Sequence, residues 1–124
     1  MWSFAARPRP KALARLGPDY QPDELARYLA VSGGETVEPF GTPGREAAIR
    51  NLSAIDPDVA AYAPLYRTAR RVVGRAPTPY AATVALETWF RNAGGFVYEE
   101  QPAQARGVPP LVGFVTNTRA GIPR

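Results

Sequence analysis

The secondary structure of this chain is limited above all by one repeated pattern, in which a capping residue stands directly before proline. This order occurs at three places: Thr42-Pro43, Asp56-Pro57 and Thr78-Pro79. A side-chain oxygen can satisfy the free N–H groups at the start of a helix, and the first helical turn tolerates proline. Because proline disrupts a helix interior, the 14 prolines in 124 residues predict short helices that begin at these pairs.

The first half of the chain is predicted to contain two short helices, over residues 23–30 and 42–54. Gly33-Gly34 and an extended segment over residues 35–40 separate them. The prediction rests on apolar residues three and four positions apart, which is the spacing of one helical face. The apolar anchors of this half are Leu25, Tyr28, Leu29, Val37, Phe40, Ala47, Ala48, Ile49 and Leu52.

The second half has stronger apolar faces and is predicted to be firmer. Pro64 either starts a further helix or kinks the one that begins at Asp56-Pro57, and Gly74 ends this region. The next helix begins at Thr78-Pro79 and ends at a left-handed turn at Gly94-Gly95. The residues on the two predicted faces are Leu65, Ala69, Val72 and Val73, then Ala82, Leu86, Trp89, Phe90 and Ala93.

After this helix, Phe96 to Tyr98 alternate as a short strand would. Pro110 is predicted to start one or two helical turns that direct Leu111, Phe114 and Val115 into the same core. Two interpretations apply to the aromatic residues of this region. They could form a stacking platform for a base or sugar ring, but their helical and strand spacing beside aliphatic residues favours a core. The aromatic residues concerned are Trp89, Phe90 and Phe96.

The net charge of +4 arises entirely from the N-terminal residues. Residues 1–16 contain four basic side chains and no acid, whereas acids and bases balance in the rest of the chain. We expect this tail to be solvated and disordered, with weak contact to anionic membranes as the alternative. The other arginines alternate with acids instead of forming a stripe, so specific nucleic-acid binding is not predicted.

The chain has no cysteine and no histidine, which excludes thiolate–imidazole catalysis. Thiolate and imidazole metal sites are excluded for the same reason. An acid/base pair drawn from Glu87, Glu99 and Glu100 is disfavoured, because the last two would point to opposite faces of a strand. The serine and threonine hydroxyls have no histidine base. We therefore predict no catalytic, cofactor-binding or metal-ligating residues and no cofactor.

The segment from Tyr80 to Gly121 resembles part of a known family. The motifs that carry the resemblance are L-E-T-W-F-R at residues 86–91, F-V-Y at 96–98 and T-R-A-G at 118–121, in this order and spacing. Together they are similar to the region just before the catalytic cysteine of bacterial, membrane-anchored transglutaminase-like proteins. In that family a cysteine occupies the position where this chain has Pro123, so the resemblance implies ancestry without the family's cysteine chemistry.

The resemblance implies an α+β, predominantly α-helical fold that corresponds to the N-terminal part of a transglutaminase-like, papain-like core. We accordingly divide the chain into a basic disordered tail (residues 1–19), a linker-like region with short helices (20–60) and an incomplete transglutaminase-like core (61–124). Family members usually hold this domain outside the cytoplasm. The sequence contains no recognisable signal peptide or membrane span, so it does not predict a location for this chain.

Two functional hypotheses follow. The first is a truncated or remnant transglutaminase-like protein without acyl-transfer or peptidase activity, whose partner is a second copy of the chain or the remainder of the domain. The second is a small interaction module that uses the basic tail or an exposed apolar face to bind a membrane or protein. The truncation would leave apolar faces without partners, and we therefore predict marginal stability or self-association of the isolated chain.

Overall fold

Helices make up most of the ordered secondary structure of this protein. The computed structural model describes residues 7–19, 29–30, 36–101 and 106–121. The α-helices in these ranges are α1 (Pro10–Leu13), α2 (Arg45–Ile55), α3 (Pro57–Ala61), α4 (Ala63–Val73), α5 (Pro79–Thr88) and α6 (Pro110–Gly113). Two π-helical turns, Trp89–Ala93 and Phe114–Thr118, continue α5 and α6, and two short strands are β1 (Val97–Tyr98) and β2 (Ala120–Gly121). The predicted predominance of helix is confirmed.

Two of the three predicted cap-and-proline pairs start helices as expected. Asp56 Oδ1 accepts hydrogen bonds from the backbone N–H groups of Asp58 at 2.8 Å and Val59 at 3.4 Å, which caps α3. Thr78 Oγ1 accepts from the N–H of Ala81 at 3.2 Å and caps α5. Each side chain satisfies N–H groups that have no partner within the helix.

The third pair does not start a helix, which corrects the prediction for Thr42-Pro43. The Thr42 hydroxyl donates to the carbonyl of Pro39 at 2.8 Å, and the Thr42 N–H donates to the same oxygen at 3.3 Å. This tight turn engages the hydroxyl before the helix begins. α2 therefore starts at Arg45 after Gly44, and it ends at Ile55, one residue beyond the predicted end.

Pro64 starts a new helix, which decides between the two possibilities that the sequence left open. α3 ends at Ala61, and α4 begins at Ala63 after the single intervening residue Tyr62. Pro64 is the second residue of α4. Gly74 ends α4 with a φ of 59° and donates its N–H to the carbonyl of Arg70 at 2.9 Å. α4 packs against α5 on one side and against the second π-helical turn on another. Thr68, outside the predicted apolar face, is therefore also buried.

The C-terminal part of the core is centred on residues that the sequence did not single out. Val112 is only 1% exposed, as is the predicted Val115 three residues later. Leu111 is 51% exposed, so the prediction that it enters the core is wrong. Residues three apart share one face of a helix, and the face that α6 and the following turn bury begins at Val112.

The β element is a parallel pair of two-residue strands. Val97 lies opposite Ala120 and Tyr98 opposite Gly121, and the Val97 N–H donates to the carbonyl of Arg119 at 2.9 Å. The predicted strand at Phe96 to Tyr98 is thus present but one residue shorter. Its partner, β2, was not predicted because a two-residue strand has no periodicity of its own.

The N-terminal predictions are only partly covered by the described residues. α1 lies within the segment predicted to be a disordered tail, and none of its residues is buried. Most of the predicted helix over residues 23–30, and Gly33-Gly34, lie outside the described residues. Within them, Ala30 and Thr36 form an isolated antiparallel bridge, and Val37 is buried as predicted for the extended segment.

Candidate functional surfaces

Four aromatic side chains form a contiguous cluster that joins the two π-helical turns through Phe96, the residue before β1. Phe96 is at the centre, with its ring centroid 4.9 Å from Trp89, 4.9 Å from Phe90 and 5.2 Å from Phe114. Trp89 and Phe90 are 5.0 Å apart in an edge-to-face arrangement. Such offset and edge-on geometries are the favourable ones for aromatic pairs. The preferred interpretation of these residues as packing groups is consistent with these contacts.

The two π-helical turns position this aromatic cluster. Gly94 donates its N–H to the carbonyl of Trp89 at 2.7 Å, and Arg119 donates to Phe114 at 2.8 Å, so each bond spans five residues. The wider turn ends at Gly95, whose φ of 66° reverses the chain and brings Phe96 back onto Trp89. Glycine adopts this left-handed conformation without steric cost, and the predicted left-handed stop is therefore located at Gly95.

Part of the cluster and its surroundings remain open to solvent. Phe90 is 43% exposed, Val97 and Tyr98 are each 61% exposed, and Leu111 is 51% exposed. We call these four residues the apolar surface. Phe90 belongs to the cluster, β1 follows Phe96 directly, and Leu111 lies three residues before Phe114. Phe90 is thus part of the cluster, and Val97, Tyr98 and Leu111 lie on the elements adjacent to it in sequence.

The two-stranded sheet also presents unpaired backbone. Among the described residues, β1 and β2 pair only with each other. A strand with one neighbour leaves the N–H and C=O groups of its other edge available to a further strand. Val97 and Tyr98 are exposed on opposite faces of β1, because consecutive strand residues alternate. A strand added at this edge would therefore meet backbone groups and one apolar side chain on each face.

A second candidate site is a cavity of about 360 Å³ between α4 and the second π-helical turn. Its charged and hydroxyl groups come from Arg67, Thr68, Arg71, Thr116 and Arg119, and Pro64, Val72, Trp89 and Val115 supply apolar walls. We call it the arginine cavity. None of its three arginines forms an ion pair within the described ranges, whereas Arg70 and Arg91 do.

The arginine cavity was not predicted from the sequence. Arg67 and Arg71 are four residues apart and share one face of α4, which was the only local signal. Arg119 is far away in sequence and adopts a left-handed backbone conformation with a φ of 52°. Its contribution depends on the second π-helical turn, whose C-terminal hydrogen bond it donates.

A groove of about 580 Å³ lies between the turn at residues 40–43 and helices α4 and α5. Its walls are mainly apolar, and its principal charged groups, Arg70 and Glu46, form an ion pair of 2.8 Å. Both side chains are more than half exposed, so this pair adds little to stability. Among the described residues that line this groove, Arg45 is the one further charged group, and its guanidinium donates to the carbonyl of Glu38. The groove therefore offers little charge for recognising a ligand.

The three acids that the sequence analysis considered as a possible acid/base pair are all exposed. Glu87 forms an ion pair of 3.0 Å with Arg91 one helical turn later, and Glu99 and Glu100 are exposed. No group of three acidic residues that could hold a metal ion occurs in the described parts of the chain. The same parts contain no helix with the length and hydropathy needed to cross a membrane.

No protein-family model, curated protein or solved structure matches this chain. The apolar surface and the arginine cavity are therefore interpreted from their own chemistry.

Proposed function

We propose that this protein is a non-catalytic interaction module that binds another polypeptide through the apolar surface. The observation that carries the proposal is the combination, on β1, of two side chains that are each 61% exposed with an unpaired strand edge. An extended peptide that adds to this edge would gain main-chain hydrogen bonds and cover apolar side chains at the same time. This is the general mode of strand addition.

The neighbouring aromatic residues support the same surface as a binding site. Phe90 extends the apolar area from the cluster, and aromatic residues are enriched at protein interfaces because they bury a large area with few rotatable bonds. Phe96 and Trp89, behind it, are held by three aromatic contacts. A partner would therefore meet a surface that is already ordered.

We further propose that the module has transglutaminase-like ancestry and no acyl-transfer or peptidase activity of its own. The support is the motif order from Leu86 to Gly121, together with the lack of cysteine and histidine in the sequence. In this view, the partner segment would take the place of the part of a transglutaminase-like domain that covers the Trp89 and Phe114 side of the core. Release of ammonia from a glutamine-containing peptide, catalysed by the purified chain, would contradict the proposal.

The binding proposal is tested by the behaviour of the isolated chain. Without a partner, uncovered apolar surface drives self-association, so sedimentation velocity should show larger species at higher concentration. The double variant Val97→Lys/Leu111→Lys should be monomeric. A matched control, Leu16→Lys/Ile55→Lys, changes two exposed apolar residues outside the apolar surface and should still associate. A wild-type monomer at every concentration, with a sharp and reversible thermal transition, would overturn the proposal.

A second candidate function is weak binding of anionic membranes by the N-terminal tail. The observation that favours it is the exposure of α1 and its flanks, where Lys11 lies beside the exposed Arg9, Arg15 and Leu16. Basic residues near an anionic surface each contribute about 1 kcal/mol. Binding to phosphatidylserine vesicles should decrease with salt and disappear when residues 1–16 are deleted; binding that survives this deletion would refute the role of the tail.

A further inference from the structure

We propose that the arginine cavity binds the phosphate group of a small phosphate monoester with an apolar body. The first argument is charge. Arg67, Arg71 and Arg119 all line one cavity, and no carboxylate within the described residues pairs with any of them. All three side chains are exposed, so solvent reduces their mutual repulsion. A multiply charged oxyanion in the cavity would offset the remaining repulsion and would accept charge-assisted hydrogen bonds from the guanidinium groups within reach.

The second argument is the position of Arg119. Its guanidinium lies beside the chain reversal at Gly95, which connects Phe90 and Phe96 of the aromatic cluster. Nη1 is 3.9 Å from the point that a Cβ on Gly95 would occupy. The backbone of Arg119 is left-handed, which is unfavourable for a residue with a side chain. Glycine would adopt this conformation more easily. The left-handed backbone of Arg119 therefore has a conformational cost, and residues with such a cost cluster at binding sites.

The third argument is the shape and lining of the cavity. A volume of about 360 Å³ is near the lower end for small-molecule sites, which suits a compact ligand. Thr68 and Thr116 also line the cavity, but the Thr116 hydroxyl already donates its one proton to the carbonyl of Val112 at 2.8 Å, so the arginines are the principal donors to a phosphate. Pro64, Val72 and Trp89 provide apolar contact for the part of the ligand that carries the phosphate, while the buried Val115 forms the floor behind them.

The phosphate group could belong to a soluble metabolite or to a lipid headgroup, because both present the same dianion. The site is independent of the apolar surface: none of the residues of the apolar surface lines the arginine cavity. Failure of one proposal therefore leaves the other to be judged on its own test.

The test is isothermal titration calorimetry of the full chain with inorganic phosphate and with phenyl phosphate, at constant ionic strength. We expect saturable binding of both, with tighter binding of phenyl phosphate because its ring contacts the apolar walls. Arg67→Gln/Arg71→Gln should weaken binding by about tenfold or more, since each charge-assisted hydrogen bond contributes substantially. The matched control Arg50→Gln/Arg75→Gln removes two exposed arginines that do not line the cavity and should change the Kd by about twofold or less.

Arg119→Gly separates ligand binding from folding. Glycine suits the left-handed backbone, so the midpoint of denaturant unfolding should be maintained while phosphate binding weakens. In a Trp2→Phe background, Trp89 is the remaining tryptophan, and its fluorescence should change with the same Kd. No saturable binding, or equal weakening by the two double variants, would overturn the proposal.

Vesicles that contain phosphatidic acid distinguish the two sources of the phosphate group. Vesicle binding that phenyl phosphate displaces, and that Arg67→Gln/Arg71→Gln abolishes, assigns the site to a lipid headgroup. Vesicle binding that is unaffected by both, combined with saturable binding of phenyl phosphate in solution, assigns it to a soluble phosphate monoester.

Discussion

The ring of Phe96 lies directly against the backbone of Gly94, so that a side chain on Gly94 would collide with it. A Cβ at this position would be 2.7 Å from Phe96 Cδ2 and 2.8 Å from the carbonyl oxygen of Trp89. Both distances, one from carbon to carbon and one from carbon to oxygen, are shorter than the contacts that a Cβ makes in relaxed structures. Phe96 also cannot swing away freely, because its ring contacts Trp89, Phe90 and Phe114.

Gly94→Ala should therefore destabilise the protein by about 1–3 kcal/mol through overpacking. The backbone of Gly94 is right-handed, with a φ of −79°, so the loss would come from the collision and not from backbone strain. Denaturant unfolding measures the effect. Gly17→Ala is the control, since a Cβ there has no neighbour within 4 Å. Equal stability of the two variants would show that Phe96 does not lie against Gly94.

Because Val112 is in the core and Leu111 is not, substitutions at these adjacent residues should change the stability by different amounts. Val112→Ala should cost about 2 kcal/mol of unfolding free energy, because it removes buried methyl groups and leaves a cavity. Leu111→Ala should change stability by about 0.5 kcal/mol or less, as expected for an exposed position. Urea unfolding of both variants, monitored by circular dichroism, checks the prediction. A larger loss of unfolding free energy for Leu111→Ala than for Val112→Ala would mean that α6 buries the face that carries Leu111.

Asp56 links two helices, and its side chain should contribute measurably to stability. Its N–H donates to the carbonyl of Leu52 at the end of α2, while its carboxylate caps α3. Asp56→Ala should destabilise by about 1 kcal/mol, and Asp56→Asn should retain most of the stability because asparagine is also a good capping residue. Thermal unfolding followed by circular dichroism distinguishes these outcomes. Equal losses in both variants would indicate that the charge of Asp56, and not its capping geometry, is what matters.

The ion pair between Glu46 and Arg70 should contribute little. Although the two atoms are 2.8 Å apart, both side chains are more than half exposed, and solvent weakens their attraction. Glu46→Gln should change the unfolding free energy by about 0.5 kcal/mol or less. The measurement is chemical denaturation at low and at high salt. A loss above 1 kcal/mol that high salt abolishes would mean that the pair is a structural link between α2 and α4.

Helix boundaries that depend on local chemistry could be predicted from the amino-acid sequence. Asp56 and Thr78 cap helices with their own side chains, and Gly74 ends α4 by adopting a backbone conformation that glycine favours. Each of these signals involves residues within one helical turn, so the sequence contains all the interacting groups. The absence of cysteine and histidine is also a property of composition alone, and it excludes thiolate–imidazole catalysis without reference to the fold.

Features that involve residues far apart in sequence depend on the tertiary structure and could not be predicted from local patterns. The Thr42 hydroxyl turned to Pro39 instead of capping α2, and Val112 replaced Leu111 in the core, because these outcomes depend on how the flanking segments pack. The arginine cavity exists only because the second π-helical turn brings Arg119 to the face of α4 that carries Arg67 and Arg71. Local patterns specify where helices start and end, whereas the convergence of charges requires the packed chain.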